Sequence, residues 1–204
     1  MAVDIRAGHP FEQGIVTNFP GRHGITTGTK IVANAVNESK SMKLPDIYTI
    51  GVYGSSESEF FKKLIDQNID TFCDIRLRRA VRGSQYVFAN SQRLQDKLAH
   101  LSIKYLHETG LAPTPEIIKL QDKFDKEHKI QRRKREELTD VFKTAYTNKI
   151  LSKFDVRQFI KSLEESGSKK AVLFCVERSA DACHRSLVTT KIKELHPDIK
   201  IFNL

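Results

Sequence analysis

From residue 47 to the end of the chain, apolar runs and polar periodic segments alternate. YTIGVYG (Tyr48–Gly54) is a short apolar run ending in glycines, the pattern of a buried strand and a tight loop. Ser56 and Glu59 have the spacing of a reciprocal helix cap, in which a hydroxyl and a carboxylate each satisfy a free backbone N–H. The helix they open runs through Phe60, Phe61 and Leu64. IDTFCDIR (Ile69–Arg76) predicts a second strand, IKYLHE (Ile103–Glu108) a third, KKAVLFCVE (Lys169–Glu177) a fourth and IKIFNL (Ile199–Leu204) a short last one. Helical spacing predicts Ser91–His100 with Leu94, Leu98 and Leu101 on one face, and Phe154–Leu163 with Val156, Phe159 and Ile160 inward. A further helix is predicted over Ser179–Leu195, capped by Ser179 or Asp181. From Glu116 to about Tyr146 the chain is strongly helical and strongly charged, and includes KIQRRKREEL. It is too long and too polar for a plain crossover, so residues 116–146 are expected to form a helical insertion.

Strands alternating with helices predict an α/β fold: a mainly parallel, Rossmann-like sheet flanked by helices. Ligands of such sheets bind beyond the carboxyl ends of the strands. Gly51–Gly54 end the first strand, Asp74 and Arg76 the second, and Cys175 and Glu177 the fourth. Parallel strands would gather all three groups on one edge. The domain is expected over residues 46–204. Residues 1–45, with GRHGITTGTK and NESKSMKLP, have no clear period except around Thr29–Val36, and read as a partly ordered N-terminal extension.

The densest chemistry lies in LFCVERSADACHRSL, after the fourth strand. Cys175 stands where that strand emerges, and Cys183, His184, Arg185 and Ser186 fall near the start of the next helix. A helix N-terminus offers free N–H groups and partial positive charge. That field binds anions and favours the reactive thiolate of a nearby cysteine. Arg185 adds a two-pronged donor for phosphate or carboxylate. Cys175 is the first candidate nucleophile. Glu177 and His184 are acid–base candidates, and Asp74 is a candidate base or arginine anchor. Arg76, Arg79, Cys183, Arg185 and Ser186 are candidates for holding an anion. Each has a plain reading beside it: Cys175 and Cys183 as small core residues, Glu177 and Arg178 as a solvated pair, His184 as a packed or surface histidine, Asp74 and Arg76 as a structural ion pair. A metal reading would use Cys175, Cys183 and His184, with Cys73 as a fourth ligand. The C-x7-C-H spacing matches no usual zinc pattern and adjacent Cys-His ligands are awkward for a tetrahedron, so no metal is expected. No G-x-x-x-x-G-K phosphate loop is present.

After the second strand, Arg76, Arg78, Arg79 and Arg82 crowd together. Such charges repel unless an anion or acidic neighbours neutralise them. Tyr86 and Phe88 just beyond them are candidates to stack on a base. The basic helix Lys123 to Arg135 has Asp122, Asp125, Glu127, Glu136 and Glu137 for i,i+4 pairs, and reads first as a solvated face, with a nucleic-acid contact as the alternative.

The chain has 204 residues, 39% of them hydrophobic and twelve of them Phe, enough for a real core. No apolar run approaches the roughly 20 residues of a membrane span, and MAVDIRAGHP lacks the apolar stretch of a signal peptide. Three cysteines do not make a disulfide framework, so a cytoplasmic location is expected, with no membrane partner. A net charge of +9 and a pI near 9.5 favour an anionic partner, whether phosphate, nucleotide or nucleic acid; a plain solubilising surface is the other reading. The sequence names no cofactor.

YTIGVYG with the following Glu-Phe-Phe, FCDIRLRRAVRGSQYVFAN, YLHETGLAPT and LFCVERSADACHRSL occur together in the order and spacing of the domain of unknown function 488 family, which the chain resembles from about Tyr48 to Leu204. Many members carry a histidine after the Ile-Gly pair of the first strand, whereas Val52 and Tyr53 stand there in this chain, marking a distinct branch. The resemblance implies a compact α/β domain with a site formed by Asp74, Arg76, Cys175, Glu177, Cys183, His184 and Arg185. It brings with it no reaction and no cofactor. The expected function is an enzyme on a phosphate-bearing, nucleotide or nucleic-acid-related substrate. The alternative is a nucleic-acid-binding module without catalysis, with Arg76–Arg82 and Arg132–Arg135 on phosphates.

Overall fold

The structure, a computed structural model, describes residues 43–204. The extension expected over residues 1–45, with the period around Thr29–Val36, lies outside the described residues except for its last three. Five short strands form one all-parallel sheet in the order β3-β2-β4-β1-β5. They are β1 (Asp46–Ile50), β2 (Thr71–Asp74), β3 (Lys104–His107), β4 (Lys170–Phe174) and β5 (Ile201–Asn203). The helices are α1 (Glu57–Asp66), α2 (Ser91–His100), α3 (Pro115–Glu127), α4 (Asp140–Tyr146), α5 (Val156–Glu165) and α6 (His184–Leu195). A π-helical turn, Thr147–Leu151, continues α4.

The period of two along a strand divides the core into two layers. On β4, Val172 and Phe174 face one layer, Ala171 and Leu173 the other. The first layer is aromatic. Phe60 of α1 lies 5.6 Å from Phe174 and 5.5 Å from Phe88, ring centre to ring centre, and Leu94 and Leu98 of α2 complete it. The second layer receives Ile117, Phe142, Tyr146, Ile160, Leu163, Val188 and Ile192 from α3 to α6. Each such side chain, fully buried, contributes about 1.5–3 kcal/mol relative to exposure. The segment expected as a helical insertion thus supplies part of the second layer: α3, a single turn at Arg132–Lys134 and α4. A buried polar chain ties its ends together. Gln121 accepts from the Thr139 N–H at 2.9 Å and donates to Asp125 at 2.9 Å, and Asp125 receives Arg135 at 3.0 Å.

The reciprocal cap of α1 forms as its spacing predicts, with the Glu59 N–H donating to the Ser56 hydroxyl and the Ser56 N–H to the Glu59 carboxylate. The last helix departs from expectation. It starts at His184, with Cys183 at the N-cap and no side-chain cap, rather than at Ser179. Ser179 instead accepts the Asp181 N–H at 3.3 Å, so the hydroxyl is spent on a local turn. Arg185 holds the backbone of this loop by donating to the carbonyls of Glu177 at 2.8 Å and Arg178 at 3.0 Å.

Register decides what meets at the sheet edge. Phe174 lies opposite both Ile50 and Asp74, and Asp74 opposite His107. Strands β1, β2 and β4 therefore end together, and Gly51, Ile75 and Cys175 leave them side by side. No helix among the described residues is long and apolar enough to cross a membrane.

Candidate functional site

His184, in the first turn of α6, is the hub of the carboxyl edge. Its Nδ1 lies 3.6 Å from the Cys183 sulfur and 3.8 Å from the Cys175 sulfur. Its Nε2 is 3.2 Å from the carbonyl oxygen of Ile75. A carbonyl can only accept, so Nε2 carries a proton and Nδ1 is the nitrogen that answers to sulfur. The Tyr146 ring packs against the imidazole at 5.5 Å between centroids, fixed by a 2.6 Å bond from its hydroxyl to the Leu111 carbonyl.

The two thiols have different neighbours. Cys175 donates to Glu177 Oε2 at 3.3 Å. Glu177 Oε1 accepts from Arg132 Nε at 3.0 Å, with Arg135 Nη1 at 3.9 Å. A carboxylate beside Cys175 favours the protonated thiol, whereas Cys183 caps a helix beside an imidazole. The Cys175 thiol accordingly titrates well above the usual thiol range, through its hydrogen bond with Cys183, burial and the Glu177 charge. Burial pushes Cys183 up, but the bond from Cys175, the His184 charge and Arg185 together hold it well below that range. Burial lowers His184, and the Cys183 thiolate reverses this, so the imidazole titrates above its usual value. Both shifts run in the direction that favours a thiolate on Cys183 and an imidazolium on His184.

Asp74 and Arg76 form a second buried unit on the same edge. The Asp74 carboxylate accepts from the Arg76 N–H (3.2 Å), Arg76 Nε (2.8 Å), Arg76 Nη2 (2.7 Å) and the Tyr105 hydroxyl (2.9 Å). The guanidinium lies 4.3 Å above the Phe174 ring. Ile75 links this unit to the first, because its carbonyl holds His184. Arg76 and Arg185 are thus engaged by the fold, although Arg76 Nη1 and Arg185 Nε are buried without a partner. Ser186 donates to the Cys183 carbonyl at 2.9 Å. Arg79 is half-buried beside Tyr105.

Outside the cluster stands a basic and aromatic rim. The Arg133 guanidinium lies 5.3 Å from the rings of both Tyr53 and Tyr86 and donates to the Arg82 carbonyl at 2.9 Å. Arg82, Arg132, Arg133 and Arg178 are exposed. Tyr86 and Phe88, expected as stacking surfaces for a base, are buried in the aromatic layer, and the tyrosine presented beside Arg133 with part of its surface free is Tyr53. Tyr146 was not legible as a site residue. Arg132 read as one charge of a solvated helix or as a phosphate contact, and nothing in its spacing pointed to Glu177, 45 residues away.

The Cys175 and Cys183 sulfurs and a His184 nitrogen lie within 4.8 Å of one another, a grouping with ligand types suited to a soft divalent ion. Glu177, beside Cys175, is engaged by Cys175 and Arg132.

Fold and site together define a parallel α/β protein with a buried two-cysteine, one-histidine centre at the carboxyl edge of its sheet. The chain belongs to the family described as domain of unknown function DUF488, whose model matches residues 56–192 and so spans Asp74, Arg76 and the whole Cys175–Arg185 loop. Comparison with curated proteins and with solved structures finds no match.

Proposed function

We propose that the chain is a cysteine-dependent enzyme acting on an anionic, phosphate-bearing or nucleic-acid-related substrate, with Cys183 as its nucleophile. The observation that carries this reading is the 3.6 Å approach of His184 Nδ1 to the Cys183 sulfur at the N-terminus of α6. An imidazolium and a helix N-terminus both favour the thiolate, the attacking form. His184 would then give its Nδ1 proton to the leaving group. Glu177 keeps Cys175 protonated and draws Arg132 over the centre. The exposed arginines of the rim, in a chain of net charge +9, would draw the anion in.

Thiolate absorbance in the ultraviolet tests this without a substrate. The titratable and charged groups facing Cys183 are His184, Cys175 and Arg185; Glu177 acts on Cys175 and His184, and Tyr146 packs on the imidazole. About one thiolate per chain is expected at about pH 6, against well under 1% for a thiol of ordinary pKa. Cys183→Ser removes the signal and Cys175→Ser keeps it. As pH falls through the lowered Cys183 value the signal fades. As it rises through the raised His184 value the imidazolium, and with it the acid, is lost. A first thiolate appearing only near about pH 8.5 overturns the proposal. So does a stoichiometric metal whose removal by a chelator abolishes the absorbance.

The rim favours a second reading, a nucleic-acid-binding module without catalysis. It expects single-stranded oligonucleotides to bind with an affinity that falls steeply with salt, and to bind Cys183→Ser as well as the unaltered chain. Absence of binding at low salt removes it. For either reading Arg132→Ala is a mild change. Its side chain is 49% exposed, so the expected stability loss is at most about 1 kcal/mol, read from urea unfolding.

A further inference from the structure

We propose that Cys175 and Cys183 form a hydroperoxide-responsive dithiol, in which peroxide oxidises Cys183 and Cys175 closes a disulfide onto it. The proposal goes beyond the enzyme reading. It shares the Cys183 thiolate with that reading but requires no substrate and no rim.

The geometry carries it. Both sulfurs approach the same imidazole nitrogen, at 3.6 and 3.8 Å, and all three atoms lie within 4.8 Å of one another. A disulfide needs sulfurs about 2 Å apart, so modest closure suffices. Residues 175–183 form no helix or strand between β4 and α6, and the loop carries the exposed Arg178 and Asp181. Cys175 and Cys183 are 5% and 2% exposed, which admits a two-oxygen molecule far more readily than a bulky oxidant. Cys73 is the built-in control. It faces the other core layer, wholly buried, and burial with the charges of Glu108 and Asp70 pushes its thiol up to about 12.

The chemistry balances in two steps. The Cys183 thiolate attacks one oxygen of hydrogen peroxide, which keeps its hydrogen as the sulfenic OH; the O–O bond breaks, and the departing hydroxide takes the Nδ1 proton of His184 and leaves as water. This gives a Cys183 sulfenic acid and neutral His184. The Cys175 sulfur then attacks the sulfenic sulfur as Glu177 Oε2, 3.3 Å away, takes its proton and passes it to the hydroxide that leaves, again as water. The two sulfurs supply the two electrons that reduce the peroxide. A sulfenic acid next to a resolving cysteine ends in a disulfide rather than in irreversible over-oxidation. Closure removes the thiolate from His184, so the oxidised chain loses the nucleophile proposed above.

The experiment treats the full chain at about pH 7 with a small excess of hydrogen peroxide, with intact mass and peptide mapping as readout. The expected result is loss of two hydrogens, a Cys175–Cys183 linked peptide, unmodified Cys73, and full reversal by dithiothreitol. Cys175→Ser is expected to stop at a Cys183 sulfenic acid that dimedone traps, with far-ultraviolet circular dichroism confirming that the variant folds. Unlinked sulfinic Cys183 in the unaltered chain, oxidation spread equally over the three cysteines, or no reaction overturns the inference. If the disulfide fails to form while the low-pH thiolate absorbance persists, the inference falls and the enzyme reading stands. If the disulfide forms without that absorbance, the enzyme reading falls and the dithiol stands.

Discussion

Asp74→Ala is expected to destabilise the domain by about 3–5 kcal/mol, the cost of leaving a buried charge without its partner. Asp74 is wholly buried and Arg76 is 4% exposed. The carboxylate receives four donors, three of them from Arg76. Without it, the guanidinium keeps only the Ala89 carbonyl at 3.2 Å and the Phe174 ring, with Nη1 already unpartnered. Asp74→Asn preserves the shape but not the charge, and is expected to recover only part of the loss. Adding Arg76→Leu to Asp74→Ala removes the stranded charge and is expected to return about 1–4 kcal/mol, since buried pairs are often replaceable by apolar groups. Urea unfolding of the four chains checks this order. A loss under about 1 kcal/mol for Asp74→Ala, within the range of exposed pairs, would mean that water reaches the pair and that the edge is open there.

That pair also marks where sequence reasoning reached its limit. Arginines in a cluster look the same whether they await an anion or have one of their own. Arg76 found its anion two residues away in Asp74, and Arg185 found backbone carbonyls seven and eight residues away. Local periodicity carried the strands, the α1 cap and the shared edge, because those follow from alternation and from parallel direction. It could not carry Arg132 onto Glu177 or Tyr146 onto His184. Those contacts depend on how α3 and α4 pack on the sheet, and a charged helix face gives no register for that. The start of α6 was misread for a related reason. Ser179 and Asp181 are good caps in isolation, but the loop is held by Arg185 and by β1, so the helix waits until Cys183.

The difference matters chemically. A helix capped by Ser179 or Asp181 would have placed Cys183 in or just past its first turn. Starting at His184, it puts Cys183 itself at the cap, where the terminal field is strongest. Cys175, which comes first along the chain and looked the better nucleophile, faces Glu177 instead. On the reading proposed above, Cys183 attacks and Cys175, the first candidate from the sequence, stays protonated; the thiolate absorbances of Cys183→Ser and Cys175→Ser decide between the two sulfurs.

Gly51→Ala is expected to be the most damaging single methyl group on this edge. A Cβ at Gly51 would stand 1.9 Å from the Glu177 carbonyl oxygen, 2.8 Å from its carbon and 3.3 Å from the Arg178 Cα. All three are backbone atoms, so no side chain can turn aside. The strand end and the Cys175 loop must separate, and the bonds from the Val52 and Tyr53 N–H groups to the Val176 carbonyl, 3.2 and 3.0 Å, go with them. Overpacking costs about 1–3 kcal/mol where neighbours can relax, and about 3 kcal/mol or more is expected here because they cannot. The displaced carbonyl is also the one that Arg185 holds, so Glu177 moves off Cys175 as well. Gly54→Ala separates this steric effect from a conformational one. Gly54 has φ of +84° and its added Cβ would meet only the flexible Arg178 side chain at 3.2 Å, so the expected cost is about 1 kcal/mol from backbone strain alone. Gly51→Ala should therefore lose both stability in urea and the Cys183 thiolate absorbance, while Gly54→Ala loses a little stability and keeps the thiolate. Equal behaviour of the two variants would show that the Glu177 loop yields to a methyl group, and that the contact with β1 does not set the thiol geometry.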